Sequence, residues 1–170
     1  RLSARSIVVA TGGKPFLPPI PGLDAMQPLT SENLWDLEEQ PQRLLVLGGG
    51  PIGCELSQAF ARLGVAVTQV EAMDRLLMKE DPEVAEVVAD SLRRDSVDLR
   101  LAHKVIEFAE GDGERVAICE QGGEQVKIPF DRVLVAVGRA GNTEGLNLEA
   151  LGIEPRRNGT VAVEEDLSIG

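Results

Sequence analysis

Residues 44–53 read Leu-Leu-Val-Leu-Gly-Gly-Gly-Pro-Ile-Gly, and no other stretch constrains the fold as strongly. Four apolar residues in a row suit a strand buried on both faces. The glycines end it. From Cys54 to Leu63 the pattern turns helical, with Leu56, Ala59, Phe60 and Leu63 on one predicted face. Gly64 stands where a helix-ending glycine belongs. A second apolar strand, from Val65 to Val70, then runs into Glu71. Strand, glycine turn, helix, strand and acid, in that order, form a dinucleotide-binding fingerprint.

Each part has a physical task. Gly48 lets the chain turn tightly out of the strand. Gly50 carries no side chain, so a diphosphate can approach the backbone, with Gly49, Pro51 and Ile52 completing the turn. Gly53 lets the helix lie close to the sheet. The helix start offers unpaired N–H groups and the positive end of its dipole. Glu71 falls about 20 residues on, where a carboxylate accepts hydrogen bonds from an adenosine ribose. The same carboxylate repels a 2′-phosphate, so NAD is expected in preference to NADP, although Arg75 is near in sequence.

Charge narrows the choice of partner. The 170 residues carry a formal net charge of −11, and 43% are hydrophobic. Lys and Arg do not cluster, so nucleic acid and anionic membrane surfaces are not expected partners. A dinucleotide still fits, because backbone amides hold phosphate without cationic side chains. No apolar run is long enough to span a bilayer. No secretory signal is visible, and a cytoplasmic location is expected. A chain opening on Arg1 reads as part of a longer one.

Cys54 and Cys119 match neither a redox pair nor a metal site, and no metal is expected. Cys54 reads as a small packed side chain near the glycine turn, Cys119 as a strand residue. His103, the only histidine, is expected on the surface or in a loop.

Elsewhere the pattern is coarser. Ser6 to Ala10 is a β-branched run closed by Thr11-Gly12-Gly13. Four prolines between Lys14 and Gly22 oppose regular structure there. Thr30-Ser31-Glu32 is expected to cap a short helix containing Leu34, Trp35 and Leu37. Asp81-Pro82-Glu83 opens a helix with Val84, Val87, Val88 and Leu92 at helical spacing. Val97 to Leu101 reads as a third parallel strand. Lys104 to Phe108, Arg115 to Glu120 and Gln125 to Ile128 form an antiparallel meander, with turns at Glu110–Gly113 and Gln121–Gly123. Asp131 to Gly138 is another buried strand, and Gly159 to Val163 a last short one.

Ala10-Thr11-Gly12-Gly13, the 48–53 turn with Glu55 and Glu71, Val135-Ala136-Val137-Gly138-Arg139, and Asn142-Thr143 before Leu146-Asn147-Leu148 stand in a fixed order. Together they make the chain resemble the flavin-dependent pyridine nucleotide–disulfide oxidoreductases, with wording closest to dihydrolipoamide dehydrogenases and mercuric reductases. The resemblance implies an α/β, Rossmann-like FAD/NAD(P)-binding fold in three layers: a parallel sheet, helices, and an antiparallel β-meander. It implies that residues 1–30 end an FAD-domain segment, 31–150 form an NAD(P) domain, and 151–170 re-enter the FAD domain. It implies hydride transfer between NAD(H) and flavin in a full-length enzyme, with FAD as second cofactor and the remaining FAD and dimerisation domains as partners. The stretch alone is then expected to be non-catalytic and monomeric or weakly associated.

Residue by residue, the resemblance gives the diphosphate to Gly48, Gly50 and Gly53, and the nicotinamide carboxamide to Glu55, read as a first-turn acid. It gives the adenosine ribose to Glu71, the adenine side to Val105 and the nicotinamide ribose to Gly138. Thr11, Gly12 and Gly13 would face FAD. No catalytic residue falls within the chain. Gly141 stands where the family often has proline, which leaves that loop without a ring to fix it. Pro51 replaces the aromatic gate of glutathione reductases and argues against that branch. Mercuric reductases, NADH oxidases and CoA-disulfide reductases share the motifs. A stand-alone non-catalytic nucleotide-binding domain is the reading from another class.

Overall fold

Strands and helices follow the predicted alternation closely. The computed structural model describes residues 4–111 and 113–169. Readings that touch Arg1 or Asp112, the latter in the Glu110–Gly113 turn, lie outside the described residues. The elements are β1 (Gly13–Pro15), β2 (Arg43–Leu47), α1 (Pro51–Arg62), β3 (Ala66–Val70), α2 (Pro82–Arg94), β4 (Asp98–Arg100), β5 (Lys104–Gly111), β6 (Glu114–Gln121), β7 (Glu124–Phe130), β8 (Arg132–Val135) and β9 (Arg139–Gly141). The chain divides into two units, Pro15–Gly138 and Arg1–Lys14 with Arg139–Gly170.

In the Pro15–Gly138 unit a parallel sheet runs in the order β4-β3-β2-β8. Leu29 adds a single parallel bridge beside Leu134 at the β8 edge. The meander β5-β6-β7 forms a separate antiparallel sheet. Alternation along β2 explains the layering. Leu45 and Leu47 join Val70, Val133 and Val135 in a core with Phe108, Ala117, Cys119, Ile128 and Phe130 of the meander. Leu44 and Val46 join Val67 and Leu134 in a second core with Cys54, Ala89 and Leu92 of the helices. A strand whose successive side chains face opposite ways must be apolar throughout to fill both. Phe108 and Phe130 meet edge to face at 5.7 Å, a geometry that adds about 1 kcal/mol beyond burial.

The helices bury smaller residues than hydrophobic spacing predicts. On α1 the fully buried side is Gly53, Cys54 and Ser57, while Ala59 and Leu63 are exposed. On α2 it is Ala85, Ala89 and Leu92, while Val84 and Val87 are exposed. Close packing on a sheet selects for small side chains, so the largest apolar residues do not mark the contact line. Gly64 takes φ +90° after the α1 C-cap and its N–H reaches the Ala61 carbonyl, as expected of a helix-ending glycine. Pro82 opens α2 with Asp81 as its N-cap. The short helix expected after Thr30 is a single 3-10 turn, Leu34–Asp36, with Leu37 at its C-cap. No side chain caps this turn; Asn33 Oδ1 instead accepts the N–H of Thr30, ahead of it, at 2.6 Å.

The start of β2 is pinned to the start of β8. Asp131 accepts from the Arg43 backbone N–H at 2.7 Å and from its guanidinium at 2.9 and 3.1 Å. Burial pushes the Asp131 carboxyl up, but these bonds outweigh it and hold its pKa below the usual range. A depressed carboxylate pKa contributes stability above the unfolded value and loses it as pH falls through the folded value. Urea midpoints of the parent are therefore expected to drop more steeply below about pH 4 than those of Asp131→Asn, with the two curves converging in acid. The pair is partly solvent-exposed, so the gap at neutral pH is small.

In the second unit, β1 pairs with β9. Neither the β-branched run nor the expected last strand forms a strand among the described residues. Ser6 to Ala10 and Gly159 to Val163 have no ladder partner among the described residues, and Ile7 and Val8 are 83% and 88% exposed. β-branched sequence alone does not make a strand without a neighbour to receive its hydrogen bonds. The loop after β9 has a defined path without proline. Asn142 exchanges bonds with Thr11 and Gly12, its N–H reaching the Gly12 carbonyl at 3.0 Å and its Nδ2 the Thr11 carbonyl at 3.0 Å. Gly141 lies so near Gly159 that a Cβ would sit 2.5 Å from the Gly159 carbonyl oxygen.

Candidate nucleotide site

The C-terminal ends of β2, β3 and β8 converge on the glycine turn. Gly48 leaves β2 with φ +115°, and a Cβ there would meet the Ala136 carbonyl oxygen at 2.5 Å. Only glycine satisfies both demands. Gly53 is equally constrained, because its Cβ would sit 2.2 Å from the Gly48 carbonyl oxygen. The first turn of α1 thus rests directly on the loop that feeds it. Gly49 is buried against Glu71 and Leu76. Gly50 differs from all three: a Cβ there would meet nothing within 4 Å. The absence of a side chain at Gly50 therefore serves no internal contact and leaves room outside the fold.

Gly50 is also the N-cap of α1, and no side chain caps it. Pro51 occupies the first helical position, where its missing N–H costs nothing. The N–H groups of Ile52 and Gly53 belong to the orphan set of a helix start. Glu55 lies one turn later than the sequence reading placed it. α1 begins at Pro51, so its first turn carries no acid, and Glu55 is exposed on the second turn. Dipole complementation is correspondingly weaker there.

Glu71 follows the last residue of β3. Its Oε2 accepts the Gly49 N–H at 2.6 Å and its Oε1 the Met73 N–H at 2.8 Å. The carboxylate is thus fixed at the end of the strand beside the turn. Arg75 does not face it as an unengaged cation: its guanidinium donates to the carbonyls of Glu80 at 3.0 Å and Met78 at 3.1 Å.

The other residues named from the sequence fall as follows. Gly138 is exposed just beyond β8, with φ +141° and nothing within 4 Å of a Cβ. Val105 is buried in the meander-side core, so its side chain faces away from solvent. Thr11, Gly12 and Gly13 lie in the other unit, where Thr11 Oγ1 donates to the Asn142 carbonyl at 2.5 Å. His103 is in a loop, as expected, but is 5% exposed rather than on the surface. Its Nδ1 bonds the Leu101 carbonyl at 2.7 Å and its N–H reaches the Glu71 carbonyl at 3.0 Å. Burial pushes the Cys54 thiol up, and the Cys119 thiol up to about 11, so neither is an activated nucleophile. Gln69 was not singled out from the sequence. It is fully buried in β3 and donates to the Gly48 carbonyl at 3.0 Å. A long polar residue at an inward-facing position of the strand, two before the acid, was its only signal.

Parallel sheet, helices on one face, meander on the other and a glycine turn at the strand ends define a Rossmann-like α/β scaffold. Residues 1–169 match the family of pyridine nucleotide-disulphide oxidoreductases. The chain belongs to that family. It is 40% identical over 167 residues to a mercuric reductase of Lysinibacillus sphaericus, covering 97% of this chain and 30% of the relative. It is 37% identical over 169 residues to a dihydrolipoyl dehydrogenase of Thermus scotoductus, covering 94% and 35%. Among solved structures it matches the HOCl-induced flavoprotein disulfide reductase RclA from Escherichia coli, with a TM-score of 0.79 and 33% identity over 91% of this chain and 35% of that one. The chain therefore spans about a third of the length of the relatives it matches. No described helix is long and apolar enough to cross a membrane.

Proposed function

We infer that the Pro15–Gly138 unit is the pyridine-nucleotide-binding module of a flavin-dependent disulfide oxidoreductase of the dihydrolipoamide dehydrogenase type, and that it takes NAD in preference to NADP. The observation that carries this is the contrast among the glycines. Gly48 and Gly53 are required by internal packing, whereas Gly50 opens an unfilled space at an uncapped helix start. A diphosphate fits that space, because orphan N–H groups and the helix dipole both favour negative charge there. Gly48 to Gly53 would hold it, Glu71 the adenosine ribose, and Gly138 the nicotinamide ribose. Glu55, exposed on the second turn, would reach the carboxamide, and Val105 would meet the adenine side through its backbone.

The nicotinamide, when bound, supplies hydride chemistry with flavin. This chain's contribution is to fix its position. The nucleotide domain expected at residues 31–150 overlaps this unit, whose own bounds are Pro15 and Gly138, and Thr11, Gly12 and Gly13 would be part of the flanking FAD domain. The electron acceptor would be set outside this segment, and the 40% identity to a mercuric reductase supports a mercuric-ion reductase as the second reading.

Preference for NAD rests on Glu71 and on the engagement of Arg75 with two backbone carbonyls. Calorimetric titration is expected to give an NADH dissociation constant at least about tenfold below that of NADPH, the effect of one repelled phosphate charge. Tighter NADPH binding would overturn the preference. No binding of either nucleotide at millimolar concentration would overturn the module itself.

A further inference from the structure

The peptide joining Gly48 to Gly49 is gripped at both ends by side chains from one strand. Its carbonyl oxygen accepts from Gln69 Nε2 at 3.0 Å, and its N–H donates to Glu71 Oε2 at 2.6 Å. Positions 69 and 71 are two apart, so β-strand geometry sends both side chains to the same face. Gln69 is 0% exposed and lies beneath the first turn of α1, where a Cβ on Gly53 would come within 3.2 Å of its Nε2. The same nitrogen is 3.7 Å from Cys54 Sγ.

Stability alone does not account for a carboxamide there. Its Oε1 is buried with no hydrogen-bond partner among the described residues, and an orphaned acceptor is costly. Turning the amide over would set its oxygen against the Gly48 carbonyl, so the orientation is fixed by chemistry. A methionine would fill nearly the same volume and remove the orphaned Oε1, but it would leave the buried Gly48 carbonyl without this donor. What Gln69 does that methionine cannot is hold the turn. A peptide flanked by two glycines rotates easily, since both tolerate either sign of φ. With only Glu71 holding it, the plane has one anchor.

We propose that Gln69 is a positioning residue for the nucleotide site: with Glu71 it locks the Gly48–Gly49 peptide in a single orientation, and so aims the backbone of the turn at the ligand's diphosphate. The proposal rests on the reading of this turn as a diphosphate cradle. It separates two properties that normally fall together. Gln69→Met keeps the volume and exchanges one orphan acceptor, Gln69 Oε1, for another, the Gly48 carbonyl, so stability changes little while the turn loses an anchor.

The test uses the full chain, comparing the parent with Gln69→Met, and titrates NADH, ADP-ribose and adenosine alongside thermal melts. Gln69→Met is expected to melt close to the parent. It is expected to bind NADH and ADP-ribose at least tenfold more weakly, and adenosine within twofold of the parent. Adenosine lacks the diphosphate, so a general loosening would move all three ligands together. Should Gln69→Met melt lower, Val67→Ala in the same strand supplies a destabilised control. The proposal then requires a loss of ADP-ribose affinity, relative to adenosine, that Val67→Ala does not show. Unchanged ADP-ribose binding in Gln69→Met, or equal losses for ADP-ribose and adenosine, would overturn it while leaving the cradle intact. A parent that binds neither NADH nor ADP-ribose would overturn the cradle and this proposal together.

Discussion

Gly53→Ala is expected to cost both stability and cofactor binding, whereas Gly50→Ala is expected to cost binding alone. At Gly53 the new methyl would sit 2.2 Å from the Gly48 carbonyl oxygen, a backbone atom with no rotamer to yield. Overpacking of this kind costs about 1–3 kcal/mol. Alanine's better helix propensity returns at most about 1 kcal/mol. The urea midpoint falls, the first turn of α1 is pushed away from the Gly48 carbonyl, and NADH binding weakens at least about tenfold, a loss of about 1.4 kcal/mol. At Gly50 the methyl meets nothing within 4 Å, and φ is −77°, which alanine accepts. Stability there stays within about 0.5 kcal/mol, while the methyl occupies the space assigned to the diphosphate. Paired denaturation and calorimetry check both variants. Wild-type NADH affinity in Gly50→Ala would remove the case for a ligand at that position.

Removing the Glu71 carboxylate is the second large effect. Glu71→Ala leaves the N–H groups of Gly49 and Met73 without their acceptors. It also deletes the group expected to hold the ribose. Bonds to a charged partner are worth about 1.5–3 kcal/mol, so NADH affinity should weaken about 10- to 100-fold. NADPH should weaken less, because the repulsion of its extra phosphate disappears with the carboxylate. The NADH-to-NADPH ratio of dissociation constants therefore moves towards one. Glu71→Gln keeps one acceptor oxygen and should fall between parent and Glu71→Ala. An unchanged ratio in Glu71→Ala would place cofactor choice elsewhere.

Much of this site was legible before any coordinates, and the reason is local. Strand, glycine turn and helix start are contiguous, so residues 44–53 specify their own geometry. Glu71 was legible because the second strand of such a unit must end near the first. Gln69 was not, because its role depends on which face of β3 meets α1 and on a hydrogen bond to a residue 21 positions earlier. His103 lies in a loop as expected, but its burial was not legible, because it comes from packing beside Glu71, which no periodicity records. The helix faces were legible in part: Leu56, Phe60, Val88 and Leu92 do pack into the helical core, whereas Ala59, Leu63, Val84 and Val87 are exposed. Hydrophobicity marks what can be buried, whereas a helix pressed on a sheet is chosen by size. Gly53 and Ser57 on α1, and Ala85 and Ala89 on α2, outrank Leu63 and Val87 at the contact. That neither Ser6–Ala10 nor Gly159–Val163 forms a strand among the described residues shows the remaining limit, since a strand is a property of two chains' worth of hydrogen bonds.

The alternation along β2 restricts how this chain can change length over time. Leu44 and Val46 serve the helical core, Leu45 and Leu47 the meander core. Loss or gain of a single codon within Arg43–Leu47 would send every side chain to the opposite layer and shift the glycine turn out of step with β3 and β8. The Gln121–Gly123 hairpin tip carries no such coupling, and a residue added there disturbs only its own bend. Natural variation in length should collect at that tip and be purged from the central strand.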